Sequence, residues 1–210
     1  MFENGIAFLD WLGIVAFTMT GALVASRNQM DAVGFVLLGT VTGIGGGTIR
    51  DLLLNAHPVL WIGQPMYLAV CIGVSLIVFF TAHRIHSRIR LLLWVDALGL
   101  ALFATVGAER AISAGTSALV AIVMGVITAS FGGIIRDLLG ETRSIIFSYE
   151  IYLTAAMGAA AIFVGLNYLG CPREVSIIAG VVVGFILRAG ALLWGWSLPR
   201  HHPRPPGNAT

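Results

Sequence analysis

The stretch that decides the fold is Thr42-Gly43-Ile44-Gly45-Gly46-Gly47-Thr48-Ile49-Arg50-Asp51-Leu52-Leu53, in which three glycines and a charged pair interrupt an apolar run. A second copy follows 86 positions later as Thr128-Ala129-Ser130-Phe131-Gly132-Gly133-Ile134-Ile135-Arg136-Asp137-Leu138-Leu139. The two copies align without a gap from residues 10 and 96 onward, and 17 of these 44 aligned pairs are identical. The chain therefore contains an internal duplication.

The composition is that of a membrane protein. Hydrophobic residues make up 58% of the 210 residues, charged residues make up 10%, and the mean hydropathy is +0.92. All 12 basic residues are arginines, and they lie mainly at the ends of apolar segments instead of in one patch. The sequence therefore excludes an ordinary soluble domain and gives no indication of nucleic-acid binding.

Spanning helices need about 20 predominantly apolar residues, and that length predicts an all-α protein with seven of them. The predicted spans are residues 5–26, 32–55, 66–83, 91–111, 116–140, 149–169 and 175–197. Each copy of the duplication holds three spans, so the second copy must enter the membrane from the opposite side. We therefore expect two inverted three-helix repeats, residues 1–86 and 87–170, followed by a seventh helix (171–198) and a disordered tail (199–210).

The distribution of arginine indicates the orientation. One set of connections and ends carries Arg27, Arg84, Arg88, Arg90, Arg143, Arg200 and Arg204. The opposite set carries Arg110 and Arg173, each next to a glutamate. We expect the N-terminus outside a cell inner membrane and the C-terminus in the cytoplasm. The cluster Arg84, Arg88 and Arg90 either binds anionic lipid headgroups or serves only as a topology signal.

Each glycine motif predicts a break in its helix, because consecutive glycines lack the side-chain packing and backbone restraint that hold a helix together. Inside a membrane the freed backbone groups must be satisfied by protein or by water in a cavity. Freed carbonyls, with the hydroxyls of Thr42, Thr128 and Ser130, could bind a monovalent cation, whereas the amides of the outgoing half-helix favour anions. Thr48 and Asp51 have the spacing of a capping box that would begin the first outgoing half-helix.

An Arg-Asp pair follows the glycines in both copies. Charged side chains inside a span cost about 2.5–3.5 kcal/mol each on insertion scales, and they face a bundle interior, a partner or water. Because neighbours on a helix point about 100° apart, we do not expect either arginine to pair with the aspartate next to it. The candidate partners are Asp10, Asp96 and Arg188, and the sequence leaves the pairing open. The structural alternative is that the glycines serve close helix packing and the charges brace the two repeats.

The doubled Gly-Gly-Gly-Thr-Ile-Arg-Asp and Phe-Gly-Gly-Ile-Ile-Arg-Asp, in three-plus-three repeats with a seventh helix, resemble the prokaryotic branch of the trimeric intracellular cation channel family over about residues 5–197. The resemblance implies a homotrimer in which each subunit has its own pore for monovalent cations, chiefly K⁺, and in which lipids occupy subunit interfaces. The kinked second and fifth spans would line that pore, and Phe131, which stands where the first copy has Gly45, would narrow one end. The expected pathway residues are Thr42, Gly45, Gly46, Gly47, Thr48, Arg50, Asp51, Thr128, Ser130, Phe131, Gly132, Gly133, Arg136 and Asp137.

Two other interpretations stay open at this point. Similar bacterial sequences carry the label of a glycine transporter domain, and a carrier could use arginine and a half-helix N-terminus for the carboxylate of a small zwitterion such as glycine, with aspartate or carbonyls for its ammonium. A non-conducting membrane scaffold is the other. The sequence contains no nucleophile–base set, metal-ligand cluster or phosphate loop at a suitable spacing, so we expect no enzyme, no cofactor and no metal site beyond transient K⁺.

Overall fold

The structure is a computed structural model that describes residues 2–84, 87–141 and 151–197. The described residues form eight α-helices and a 3-10 turn at Ala82–Arg84. The helices are α1 (Phe2–Arg27), α2 (Ala32–Leu53), α3 (Leu60–Gly63), α4 (Met66–Thr81), α5 (Arg88–Ser113), α6 (Ala118–Leu139), α7 (Leu153–Tyr168) and α8 (Arg173–Trp194).

Six of these helices, α1, α2, α4, α5, α6 and α8, are long and apolar enough to span a membrane, and α7 is a shorter apolar helix of 16 residues. Large apolar side chains on their outer faces, such as Val33 and Leu119, are exposed, as contact with lipid requires. The predicted all-α, multi-span membrane protein is thereby confirmed. The predicted tail, residues 199–210, and Arg143 lie outside the described residues.

The centre of the fold is formed by α1 and α5. The rings of Phe17 and Phe103 meet edge to face, with centroids 5.1 Å apart. Phe103 also lies against Gly13, and Phe17 against Gly99, where an added Cβ atom would come within 2.7 Å of the ring. Because Gly13 and Phe17 become Gly99 and Phe103 on adding the 86-residue offset, the two contacts are reciprocal.

Small residues let α7 pack closely beside α5, α6 and α8. Ala155, Ala156, Ala159 and Ala160 are completely buried, and an added Cβ on Gly184 of α8 would meet the side chain of Ala159 at 2.7 Å. Close backbone approach of this kind supplies van der Waals contact between helices where lipid removes the hydrophobic driving force. The alanines therefore hold α7 in the bundle despite its short length.

The prediction that the second and fifth spans are broken at their glycines is wrong. Helices α2 and α6 each run without interruption for 22 residues, through residues 43–48 and 130–134. Since the backbone groups within a continuous helix bond to one another, these segments lack the freed carbonyls and amides that a break would leave. An unbroken helix satisfies its own backbone in a membrane, and the glycines serve packing instead.

Candidate functional site

The two glycine motifs meet where α2 crosses α6. Gly46 lies against the backbone of Thr128, and Gly132 lies against Thr42, whose carbonyl oxygen would be 2.5 Å from an added Cβ. These two contacts are also related by the 86-residue offset. Because a side chain at either glycine would overlap the facing backbone, glycine is required for the close approach of the two helices. Gly47 has more room, since only Arg50 comes near a Cβ added there.

The hydroxyl groups predicted to face a cation bond first to their own helices. Each Oγ of Thr42, Thr48, Thr128 and Ser130 donates to the carbonyl four residues earlier, at 2.6–2.8 Å. Thr48 Oγ1 also accepts a hydrogen bond from Trp61 Nε1 at 3.0 Å. The predicted capping role of Thr48 is wrong, because this residue lies within α2. A hydroxyl oxygen that donates its proton keeps its capacity to accept, so these oxygens still offer lone pairs.

The first charge cluster consists of Asp10, Arg50, Asp51 and Arg110. Arg50 is buried and donates from Nε to Asp51 Oδ1 at 2.9 Å, while its NH1 lies 3.8 Å from Asp10 Oδ1. Arg110, whose side chain is 38% exposed, is the closer partner of Asp10 at 2.7 Å. The second oxygen of Asp51 accepts the backbone N–H of Leu60 at 2.9 Å. Two guanidinium groups therefore balance two carboxylates, and Asp10 is shared between them.

The second charge cluster consists of Asp96, Arg136, Asp137 and the hydroxyl of Thr20. Arg136 donates to Asp96 Oδ1 at 2.6 Å, to Asp137 Oδ1 at 2.9 Å and to Thr20 Oγ1 at 3.0 Å. Arg136 and Asp96 are completely buried. This arginine is therefore held more tightly than Arg50, its counterpart in the first copy.

The expectation that each arginine would avoid its neighbouring aspartate is wrong, since Arg50 bonds to Asp51 and Arg136 to Asp137. The 100° separation holds at the backbone, but the long arginine side chain folds back across it. The structure also brings Asp10 to Arg50 and Asp96 to Arg136. Arg188 is completely buried beside the second charge cluster, because its guanidinium carbon lies 5.1 Å from the centroid of the Tyr152 ring and Tyr152 interacts electrostatically with Asp96, Arg136 and Asp137.

Arg110 is the residue of this site that the sequence analysis missed, because it was interpreted only as a topology signal. The alignment of the two copies contains the relevant information, since Arg110 is aligned with Val24. A charge without a counterpart in the other copy marks the point where the two clusters differ. Phe131, expected to narrow one end, is half-buried on α6.

Two cavities lie beside the first glycine motif. The inner cavity has a volume of about 10 Å³, room for about one water molecule, and is lined by Asp10, Gly43, Gly47, Thr48, Arg50 and Trp61, among others. The vestibule is a wider opening of about 300 Å³, lined by Asp51, Leu54, Pro58, Arg110 and Ser113, among others. Arg50 and Leu60 line both of them. Residues of the first charge cluster thus line both spaces, with Asp10 and Arg50 at the inner cavity and Arg50, Asp51 and Arg110 at the vestibule.

The arginine cluster considered for lipid headgroups is only partly available. Arg88 donates to the carbonyls of Ala82 at 3.1 Å and Ser26 at 3.3 Å, so it joins the end of α1 to the turn before α5. Arg84 and Arg90 are exposed. Lipid binding at this cluster stays a prediction, and it now depends on Arg84 and Arg90.

Comparison with known proteins identifies relatives over nearly the whole chain. The family model described as glycine transporter matches residues 7–83 and again residues 93–168, so its two matches begin 86 positions apart. The chain is 37% identical over 199 residues to the UPF0126 inner membrane protein YadS of Escherichia coli, covering 92% of this chain and 95% of that protein. It is 38% identical over 195 residues to a UPF0126 membrane protein of Vibrio cholerae, covering 91% and 80% respectively.

Among solved structures, the fold is similar to that of the TRIC trimeric intracellular cation channel orthologue from Rhodobacter sphaeroides. The TM-score is 0.90 and the identity 54%, over 92% of this chain and all of that chain. A prokaryotic TRIC channel crystallised in 0.5 M KCl gives a TM-score of 0.87 at 30% identity, over 94% and 100% of the two chains. These solved relatives are ion channels and not enzymes.

The fold and the two buried charge clusters thus define a multi-span helical membrane protein whose relatives are described as cation channels and as UPF0126 membrane proteins. The chain belongs to the trimeric intracellular cation channel family, and it also matches the glycine transporter model.

Proposed function

We propose that this protein is a channel for monovalent cations, with one path through each subunit between its two repeats, lined by α2 and α6. The observation that carries the proposal is the inner cavity beside the first glycine motif, which Asp10 and Thr48 both line. Hydroxyl and carboxylate oxygens are hard ligands that can replace part of the water shell of an alkali cation. A closely similar chain is a solved cation channel.

The proposed path runs between two inverted three-helix repeats, residues 1–86 and 87–170, with residues 171–198 as the additional helix. Two sets of contacts related by the 86-residue offset support this division: the phenylalanine–glycine contacts between α1 and α5, and the glycine–threonine contacts between α2 and α6. The double match to one family model supports it as well. An inverted repeat places equivalent groups on opposite sides of the membrane midplane.

The arginines do not repel cations from this path, because carboxylates compensate them. Arg50 has Asp51 at 2.8 Å and Asp10 at 3.8 Å, and Arg136 has Asp96 and Asp137 within 2.9 Å. In the structure α2 and α6 touch at Gly46 and Gly132, so we interpret the conformation as closed. Opening requires the two helices to separate at these glycines, and half-buried Phe131 would then narrow the second half of the path.

Several finer features follow from the family. We propose selectivity for K⁺ over other monovalent cations, a homotrimeric assembly with membrane lipids between subunits, and an N-terminus outside the cell inner membrane with a cytoplasmic C-terminus. The Rhodobacter sphaeroides relative is described as a trimeric cation channel, and the Escherichia coli relative as an inner membrane protein. The arginine distribution supports the orientation.

A glycine carrier is the second candidate, because the matching family model is described as a glycine transporter. In such a carrier Arg50 would receive the carboxylate and Asp10 the ammonium group of glycine, since both residues line the inner cavity. The continuous helices weaken this alternative, because no half-helix N-terminus is available for the carboxylate.

Reconstitution into liposomes distinguishes the two candidates. We expect K⁺ flux that does not saturate and does not need valinomycin, together with no glycine counterflow. The matched variants are Gly46→Val, which places a side chain in the α2–α6 crossing, and Gly73→Val, where no atom lies within 4 Å of an added Cβ. Flux should rise in the first variant, because the added side chain separates α2 and α6 at the contact that closes the path, and stay unchanged in the second. Saturable glycine uptake with counterflow, together with an absence of K⁺ flux, would favour the glycine carrier over the channel.

A further inference from the structure

The short helix α3 is attached to the first glycine motif by two hydrogen bonds. The backbone N–H of Leu60 donates to Asp51 Oδ2 at 2.9 Å, and Trp61 Nε1 donates to Thr48 Oγ1 at 3.0 Å. Both acceptors belong to α2, and both lie in the repeated motif. Because α3 has only four residues, its own helical bonds give it little independent stability.

This attachment places α3 between the inner cavity and the vestibule. Leu60 and Arg50 line both spaces, Trp61 lines the inner cavity, and Pro58 lines the vestibule. Leu60 and Trp61 are half-buried and pack against the central hydrophobic cluster that contains Ile14 and Phe103. Leu60 of α3 and Arg50 therefore separate the inner cavity from the vestibule, and if α3 moved away only Arg50 of this pair would remain between them.

We infer that α3 is a displaceable barrier at one mouth of the path, separate from the contact between α2 and α6 at the glycines. This inference rests on the proposed function, and it adds a second point of control to it. Under the proposed orientation, the barrier lies on the outer side of the membrane. Its position is fixed by groups whose removal leaves both long helices intact.

The carboxylate of Asp51 couples this barrier to the charged residues of the path. One of its oxygens holds Arg50, and the other holds the N–H of Leu60. When α3 withdraws, the second oxygen is released beside the guanidinium groups of Arg50 and Arg110. A change in the position of α3 therefore changes the hydrogen bonding of the buried arginine.

Cysteine accessibility tests the barrier without relying on ion flux. The probe is Ile44→Cys, which lines the inner cavity, in a background in which serine replaces the two native cysteines. The protein is placed in lipid nanodiscs, and mass spectrometry follows the modification rate by a membrane-impermeant cationic methanethiosulfonate. Trp61→Phe keeps an aromatic ring but removes the donor to Thr48.

A proline at position 60 removes the other hydrogen bond. Leu60 is the first residue of α3, where proline is tolerated, and the extended ψ of 144° at Val59 suits a residue before proline. The matched comparison is Leu60→Ala, which also shortens the side chain but keeps the N–H. The control is Ile62→Ala, a substitution at an exposed residue of α3.

We expect Trp61→Phe to raise the modification rate about tenfold over the background, and Leu60→Pro to raise it about tenfold over Leu60→Ala, as loss of about 1.4 kcal/mol predicts. Ile62→Ala should stay within about twofold of the background. The barrier hypothesis would be overturned if the modification rates of Trp61→Phe and Leu60→Pro stayed within twofold of their references, or if Ile62→Ala showed an equal rise. Accelerated modification without K⁺ flux in liposomes would support the barrier and contradict the channel function. K⁺ flux without accelerated modification would support the channel function and contradict the barrier.

Discussion

Replacing Arg136 by glutamine tests how much the second charge cluster contributes to the free energy of unfolding. The substitution leaves the completely buried carboxylate of Asp96 without its cation, which had been 2.6 Å away. Removing one partner of a buried ion pair costs about 3–5 kcal/mol. Arg50→Gln is the matched variant in the first cluster, where Asp10 keeps Arg110 at 2.7 Å, so this variant removes the hydrogen bond to buried Asp51 and the weaker contact with Asp10 at 3.8 Å. Loss of a charged hydrogen bond there costs about 1.5–3 kcal/mol.

We therefore expect Arg136→Gln to lower the free energy of unfolding by about 2 kcal/mol more than Arg50→Gln. The measurement is equilibrium unfolding by SDS in mixed micelles, followed by tryptophan fluorescence. Adding Asp96→Asn to Arg136→Gln removes the unpaired charge and should recover at least about half of the loss. Equal losses in the two single variants, or no recovery in the double variant, would refute the assignment of the tighter cluster to the second copy.

Three further predictions concern the α2–α6 crossing and the two charge clusters. Gly46→Ala should cost about 1–3 kcal/mol in the same unfolding assay because its Cβ overlaps Thr128, whereas Gly73→Ala, in open space, should be neutral or stabilising by up to about 1 kcal/mol. Alanine at Arg50 or at Arg136 should alter conductance or open probability in planar bilayers, and unchanged currents in both variants would remove these residues from the path. Arg110→Gln makes the net charge of the vestibule more negative, so this variant should carry a larger K⁺ current at low ionic strength. The increase should vanish near 1 M salt, where the Debye length is about 3 Å. An increase that is independent of salt would contradict the electrostatic explanation.

The length of apolar segments is sufficient to predict the long helices of this fold. The predicted span 32–55 corresponds to Ala32–Leu53 and the predicted span 116–140 to Ala118–Leu139, because hydrocarbon thickness fixes how many residues a helix must contain. Helix α3 is not predictable on this basis, since its four residues lie in a connection between Pro58 and Pro65 and depend on side chains of α2.

The glycine motif shows why local propensity fails at the candidate site. Propensity alone favours a break after Gly45, Gly46 and Gly47. In the folded protein Gly46 faces the backbone of Thr128, 82 positions along the chain, and this contact is not visible in the sequence of one motif. The pairing of Arg50 with Asp51 fails for a similar reason, because backbone direction does not describe the reach of a long side chain.

The reciprocal contacts of Phe17 and Phe103 have a consequence for how this molecule tolerates change. Each ring fills a notch that belongs to the other half of the chain, so neither half on its own can enclose its aromatic group. The side-chain volume at each of these positions is therefore matched to a residue in the other half of the chain. A methyl group gained at Gly13 requires a smaller side chain at position 103. A substitution that compensates for a change at one of these positions is therefore expected in the other half of the chain, as at Gly13 and Phe103, which are 90 positions apart, and not among near neighbours in the sequence.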